Sequence, residues 1–102
     1  MKRIMVRYTV KADRAAENER YIVEVFEQLR RESPPNVRYA SFKLADGVSF
    51  VHIASHETAD NSNPLRDVSA FQAFTATVKD RCEGPPVVAE LTEIGSYRFF
   101  GE

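Results

Sequence analysis

Residues 36–56 hold two alternating apolar runs joined by Asp46-Gly47, and no other stretch constrains the fold as tightly. Asp-Gly between such runs is a strong hairpin signal. A two-residue type I′ turn needs positive φ at both central positions, which Asp tolerates and Gly adopts freely. With Asp46 and Gly47 as the turn, the register follows: Ala45 faces Val48, Lys43 faces Phe50, Ser41 faces His52 and Tyr39 faces Ala54. In the alternate set Leu44 faces Ser49, Phe42 faces Val51, Ala40 faces Ile53 and Arg38 faces Ser55. Side chains change face at every residue, so these are two separate surfaces. Phe42, Val51, Ala40 and Ile53 make one of them almost purely apolar. The other mixes Val48, Phe50, Tyr39 and Ala54 with Ser41, Lys43 and His52. A sheet with one wet face shows polar residues throughout one set. This pattern calls for cover on both sides: helices on one, and on the other a second copy of the sheet, giving a homodimer.

The rest of the chain supplies the helices. Lys2–Val10 reads as a first strand, with Ile4, Val6, Tyr8 and Val10 on one face. A helix is expected from about Asp13, acting as N-cap, to Ser33, stopped by Pro34-Pro35. Ala15, Asn18, Ile22, Val25, Phe26 and Leu29 share its inward stripe, on which Asn18 is the polar exception. Asn63-Pro64 resembles a cap followed by a first-turn proline, opening a short helical turn. Ser69-Ala70-Phe71-Gln72 reads as a capping box that starts a second helix, running to about Glu83 with Gly84 at C′. Phe71, Phe74, Thr75, Val78 and Cys82 share its buried face. Val87 to about Phe99 reads as a long last strand, bent or bulged at Gly95. The order β-α-β-β-α-β is the ferredoxin-like pattern, α+β, with both helices on one face of a four-stranded antiparallel sheet.

Bulk properties narrow the function classes. At 102 residues the chain is expected to form one domain over residues 1–102. Fourteen Lys and Arg against 15 Asp and Glu leave no basic stripe for nucleic acid. There is no apolar run long enough to span a bilayer and no signal-peptide core, so a cytoplasmic protein with no membrane partner is expected. The single cysteine, Cys82, excludes an internal disulfide framework.

Several motifs together resemble the dimeric α/β-barrel superfamily, and within it the antibiotic-biosynthesis-monooxygenase-like domains. They are Val6-Arg7-Tyr8-Thr9-Val10-Lys11, Phe50-Val51-His52-Ile53, Ser69-Ala70-Phe71-Gln72-Ala73-Phe74 and Pro85-Pro86-Val87-Val88. The resemblance implies two sheets facing each other across a dimer, with Phe42, Val51 and Ile53 inside the barrel. It also implies a pocket in each subunit between sheet and helices, carrying Val6, Tyr8, Phe50, His52 and His56. On this placement Arg7 points into the dimer and needs a carboxylate such as Glu90 or Glu93. The superfamily includes cofactor-free oxygenases of polycyclic aromatics and haem-degrading enzymes. The latter use Asn, His and Trp, where this chain has Val6, Ala70 and His56 and no Trp at all. The implied activity is thus a monooxygenase-like reaction, without cofactor, on a small phenolic or quinol substrate; the alternative is a non-catalytic dimeric binding or structural module.

The candidate site residues follow from type and position. His52, mid-strand beside Ser41 and near Tyr39, could serve as a general base, its pKa tunable to the working pH. Equally, it could be a core-edge histidine bonded to Ser41 or Tyr39. Asn18 could orient a ligand oxygen and is the second catalytic candidate, or it could bond the backbone of the sheet. Tyr8, Tyr39, His56 and Phe71 are candidate substrate-binding residues, the tyrosines offering a polar tip on a packing ring. His52 and His56 lie roughly 13 Å apart along an extended strand, too far to share one metal, and no metal site is expected. Cys82, at a helix C-terminus, is expected to be a small filler and not a nucleophile.

Overall fold

The computed structural model describes residues 1–99. The elements are β1 (Lys2–Thr9), a 3₁₀ turn (Ala12–Arg14), α1 (Ala15–Glu32), β2 (Val37–Lys43), β3 (Ser49–His56), a second 3₁₀ turn (Pro64–Asp67), α2 (Ser69–Arg81) and β4 (Val87–Leu91). The sheet order is β2-β3-β1-β4 and every neighbouring pair is antiparallel. This is the expected ferredoxin-like arrangement. The hairpin register is also the one read from the sequence: Tyr39 pairs with Ala54, Ser41 with His52, Phe42 with Val51 and Lys43 with Phe50.

The turn that sets this register differs from the expected type I′. Only Gly47 has positive φ, at 77°. Leu44 N–H donates to Ser49 O (2.8 Å) and Gly47 N–H to Leu44 O (3.0 Å), closing a loop of residues 45–48. Asp46 contributes through its carboxylate, which accepts from Val48 N–H (3.0 Å), Ser49 N–H (2.8 Å) and Ser49 Oγ (2.6 Å). Asp therefore acts here as a local hydrogen-bond acceptor, leaving the left-handed conformation to glycine alone.

The helix ends depart from expectation in informative ways. Asp13 lies inside the first 3₁₀ turn and caps nothing with its side chain; α1 begins two residues later, at Ala15. Ser69 and Gln72 do not form a capping box, because Val68 is the N-cap and the pair is out of register by one. Gln28 of α1 takes that role from outside: its Oε1 accepts from Ala70 N–H (2.8 Å) and Ser69 Oγ (3.1 Å). Gly84 is not a left-handed C-cap. After Arg81 the chain becomes extended at Cys82 and bridges to Val10, with Lys11 N–H donating to Arg81 O (2.8 Å) and Glu83 N–H to Thr9 O (2.8 Å). The end of α2 is fixed by β1, which removes the need for glycine. The last strand is five residues long, and 92–99 are not strand; Ile94, Tyr97 and Phe99 are exposed there. Within the second 3₁₀ turn the expected cap is present, Asn63 Oδ1 accepting from Leu65 N–H (2.9 Å).

The core fills the space between the sheet and the two helices. Tyr8, Val10 and Phe50 from the sheet pack with Val25 of α1 and Phe74 of α2. Ala54, Leu65 and Val68 form a second cluster under the second 3₁₀ turn. The opposite sheet face carries Met5, Ala40, Phe42, Val51, Ile53 and Ala89, all partly exposed. Arg7, also on that face, has neither of its expected partners: Glu93 pairs with Arg3 (3.3 Å), and Glu90, opposite Ile4, lies on the helix side.

Gln28 joins the two helices through a buried polar side chain. Gln28→Ala is expected to lower unfolding free energy by about 1–2 kcal/mol, measured as a lower urea midpoint at unchanged slope. An unchanged midpoint would exclude the capping role.

Candidate functional site

A cavity of about 290 Å³ lies between the sheet and α2. Its sheet side carries Ile4, Val6, Tyr8, Tyr39, His52, Ala54 and His56; α2 contributes Phe71, Phe74, Thr75 and Val78. Val88 of the edge strand, 65% exposed, and exposed Thr75 mark its open side, whereas Tyr8, His52 and His56 are buried. Aromatic rings dominate the wall. Tyr8 and Tyr39 stack on either side of His52, with ring centroids 5.3 and 5.9 Å from the imidazole, and Phe74 meets it edge-on at 5.4 Å.

Alternation along the strands brings these groups together. Tyr8, His52 and Tyr39 lie on three adjacent strands and all face α1 and α2, because Val6 pairs with His52 and Ser41 pairs with His52 from the other side. His52 is bonded through both ring nitrogens. Nε2 lies 2.7 Å from Tyr8 Oη; Nδ1 lies 2.6 Å from Ser41 Oγ and 3.2 Å from Tyr39 Oη. Burial lowers the His52 pKa to about 4, so the ring is neutral near pH 7. Burial likewise raises the Tyr8 pKa, outweighing the opposing effect of the Asn18 hydrogen bond, and pushes Tyr39 up to about 12. Both phenols are protonated across the physiological range.

Asn18 does not line the cavity. It stands one shell behind, fully buried, with Nδ2 donating to Tyr8 Oη (3.0 Å). It bonds a side chain and not the sheet backbone. Behind Asn18 is Arg81, which is also fully buried and which its sequence position does not single out. Arg81 Nε donates to Asn18 Oδ1 (3.0 Å) and Nη1 to Thr77 Oγ1 (2.7 Å), while the guanidinium carbon sits 4.4 Å from the Tyr21 ring centroid. Among the described residues no carboxylate lies within 4 Å of it. An Arg near a helix C-terminus ordinarily reads as a solvated, dipole-favoured charge; only the packing of α2 on α1 turns it inward.

His56 and Phe71 both line the cavity. Among the described residues His56 Nδ1 is buried without a hydrogen-bond partner, and burial, then the charge of Lys2, lowers its pKa. Cys82 is partly buried and its thiol is raised by burial, which suits a filler. No cluster of metal-ligating side chains occurs among the described residues, and no helix there is long and apolar enough to cross a membrane.

No protein-family model matches the sequence, and no curated protein matches it either. Solved structures do. A Nitrosomonas europaea protein provisionally named an antibiotic biosynthesis monooxygenase superposes with a TM-score of 0.76 at 21% identity, covering 93% of this chain and all (100%) of that one. A Caulobacter crescentus protein of the same provisional name gives 0.71 at 18%, covering 92% and 90%. The fold is that of the antibiotic biosynthesis monooxygenase-like proteins. SnoaB, a cofactor-independent oxygenase from Streptomyces nogalater, solved as its N63A mutant, shares it with a TM-score of 0.64 at 19% identity, covering 93% and 94%. The monooxygenase-like fold thus spans almost the whole chain.

His52 gives the site a pH signature. Its folded pKa of about 4 lies below the ordinary 6.5. Between those values the unfolded chain binds a proton that the folded chain does not, so stability falls as pH drops from 6.5 to 4 and His52 adds no further loss below. The His52 contribution is on the order of 3 kcal/mol. His56 acts in the same direction, so the decisive comparison is with His52→Gln, whose unfolding free energy should vary less steeply with pH across this window. Equal slopes would show that His52 is not buried as a neutral base.

Proposed function

We propose that the chain is a homodimeric, cofactor-independent monooxygenase-like enzyme whose substrate is a small aromatic bearing a phenolic or quinol hydroxyl. The observation that carries the reading is the aromatic-walled cavity into which hydrogen-bonded Tyr8, His52 and Tyr39 face. Its volume of about 290 Å³ is about twice that of a cavity of roughly 150 Å³ that holds benzene, which suits two or three fused rings. His56 also lines the cavity and adds a polar ring to its mostly aromatic wall. Phe71 and Phe74 supply ring faces for stacking. SnoaB, with the same fold, is a cofactor-independent oxygenase.

In this reading the substrate hydroxyl lies against Tyr8 Oη and its proton moves through Tyr8 to His52. The raised pKa of Tyr8 makes it a relay and not a store: it gives up one proton as it takes another. His52 becomes charged only beside the new substrate anion, so the two charges appear as a pair and the burial penalty on the imidazolium is offset. The anion passes one electron to O₂, the radical pair forms a C–O bond, and the hydroperoxide loses water. Overall, HO–Ar–H and O₂ become O=Ar=O and H₂O: His52 returns the hydroxyl proton to the distal peroxide oxygen, and as the O–O bond breaks that oxygen leaves as water with the proton of the C–H where O₂ added. Asn18 holds Tyr8 in place.

A binding-only role is the second reading, favoured by the fact that both His52 nitrogens are already engaged. Oxygen consumption with a panel of anthrone- and quinol-like compounds separates the two. Uptake proportional to protein, falling roughly 10²–10⁴-fold in His52→Ala at unchanged elution volume, is the expected result. Thermal stabilisation by a panel member without oxygen uptake would establish the binding module instead.

The dimer in this proposal uses the sheet face of Phe42, Val51 and Ile53, which no helix covers, extended by the exposed Val87. Light scattering on the eluting protein at micromolar concentration should give twice the 11.6 kDa chain mass, and Ile53→Glu should give the monomer. A wild-type monomer would remove the dimer from the proposal.

A further inference from the structure

The buried hydrogen bonds behind the cavity form one chain, and its first member has only donors. Arg81 Nε points at Asn18 across 3.0 Å. A guanidinium cannot accept a hydrogen bond, so Asn18 must turn Oδ1 toward it, and the amide nitrogen then has to face Tyr8 Oη, 3.0 Å away. Tyr8 accepts there. Among the described residues the remaining acceptor for its own proton is His52 Nε2, at 2.7 Å. An imidazole that accepts at Nε2 and is neutral carries its proton on Nδ1, and that proton has Ser41 Oγ (2.6 Å) and Tyr39 Oη (3.2 Å) before it. Each bond fixes the sense of the next.

We infer that Arg81 is a positioning residue which, through Asn18 and Tyr8, holds His52 as the Nδ1–H tautomer and keeps Nε2 as the proton acceptor. This is the direction the proposed relay needs. The tautomer is nevertheless a property of the free protein, so its test can succeed or fail without any turnover.

The readout is ¹⁵N–¹H correlation of the imidazole rings in the full-length protein near pH 7. The chain has two histidines, so a His56→Asn variant assigns the signals. In the wild type Nδ1 should appear as the protonated, pyrrole-type nitrogen and Nε2 as the pyridine-type one. A predominant Nε2–H form would overturn the inference, and this measurement requires no variant in the chain of bonds. Asn18→Asp supplies the second arm. A carboxylate accepts from both Arg81 and Tyr8, so the Tyr8 proton turns away from His52 and the ring should switch to mainly Nε2–H, donating to Tyr8. A purely structural role for Asn18 would leave the tautomer as it was, and an unchanged Nδ1–H form in folded Asn18→Asp counts against the inference. Arg81→Lys, which keeps a donor-only group, should retain the wild-type tautomer, whereas Arg81→Gln, whose amide can face either way, should give a mixture. A wild-type spectrum from Arg81→Gln would remove Arg81 from the role.

Discussion

A buried guanidinium must be met by acceptors and by rings, and the middle of this protein is arranged to meet one. Arg81 occupies the junction of α1, α2 and the end of β1, with Asn18, Thr77 and the Phe74 carbonyl as acceptors and Tyr21 and Phe74 as ring faces. Removing it would strand the Asn18 carbonyl oxygen in the core, where an unmet acceptor costs about 1–3 kcal/mol. Because the cation carries no carboxylate partner among the described residues, its field reaches the neighbouring phenol of Tyr8 and modestly favours the charged form of that ring. Burial outweighs it, and Tyr8 remains protonated.

The sheet connects this interior to the cavity. Its pleat places Tyr8, His52 and Tyr39 on one face of three adjacent strands, and the inter-strand spacing of about 4.8 Å sets the ring spacings seen there. A shift of one residue in β3 would exchange His52 for Val51 or Ile53 and send the imidazole to the outer face. The Asp46 carboxylate, which ties Val48 and Ser49 into the loop, therefore bears on the chemistry of a site at the far side of the hairpin. Gln28 does the same for α2: by capping it from α1 it locates Phe71 and Phe74 over the cavity.

Much of this was legible from residue pattern. Period-two alternation set the faces of β1, β2 and β3, and Pro34-Pro35 bounded α1. His52 beside Ser41 and Tyr39 followed from the register alone. Readings that depended on local capping rules fared worse at Asp13, Ser69, Gln72 and Gly84. In each case a longer-range bond displaced the local one: Gln28 capped α2, and β1 backbone held the end of α2. The long final strand was misread for a related reason. Residues 92–99 keep strand-like composition, but a strand needs a neighbour, and β1 offers paired positions to β4 only from Arg3 to Arg7.

The sequence by itself determined which residues share a face, since alternation and helical periodicity are properties of the backbone and require no partner. It thereby determined the fold class, the hairpin register and the gathering of Tyr8, Tyr39, His52, His56 and Phe71 on the helix side. Only the tertiary structure decided what stands behind them. The angle at which α2 lies on α1 turned Arg81 inward, joined it to Asn18 and gave the hydrogen bonds of Tyr8 and His52 their direction. Burial then made the imidazole neutral. Such effects depend on the distance between groups 63 residues apart in the chain and on the exclusion of water, and neither is a local property of sequence.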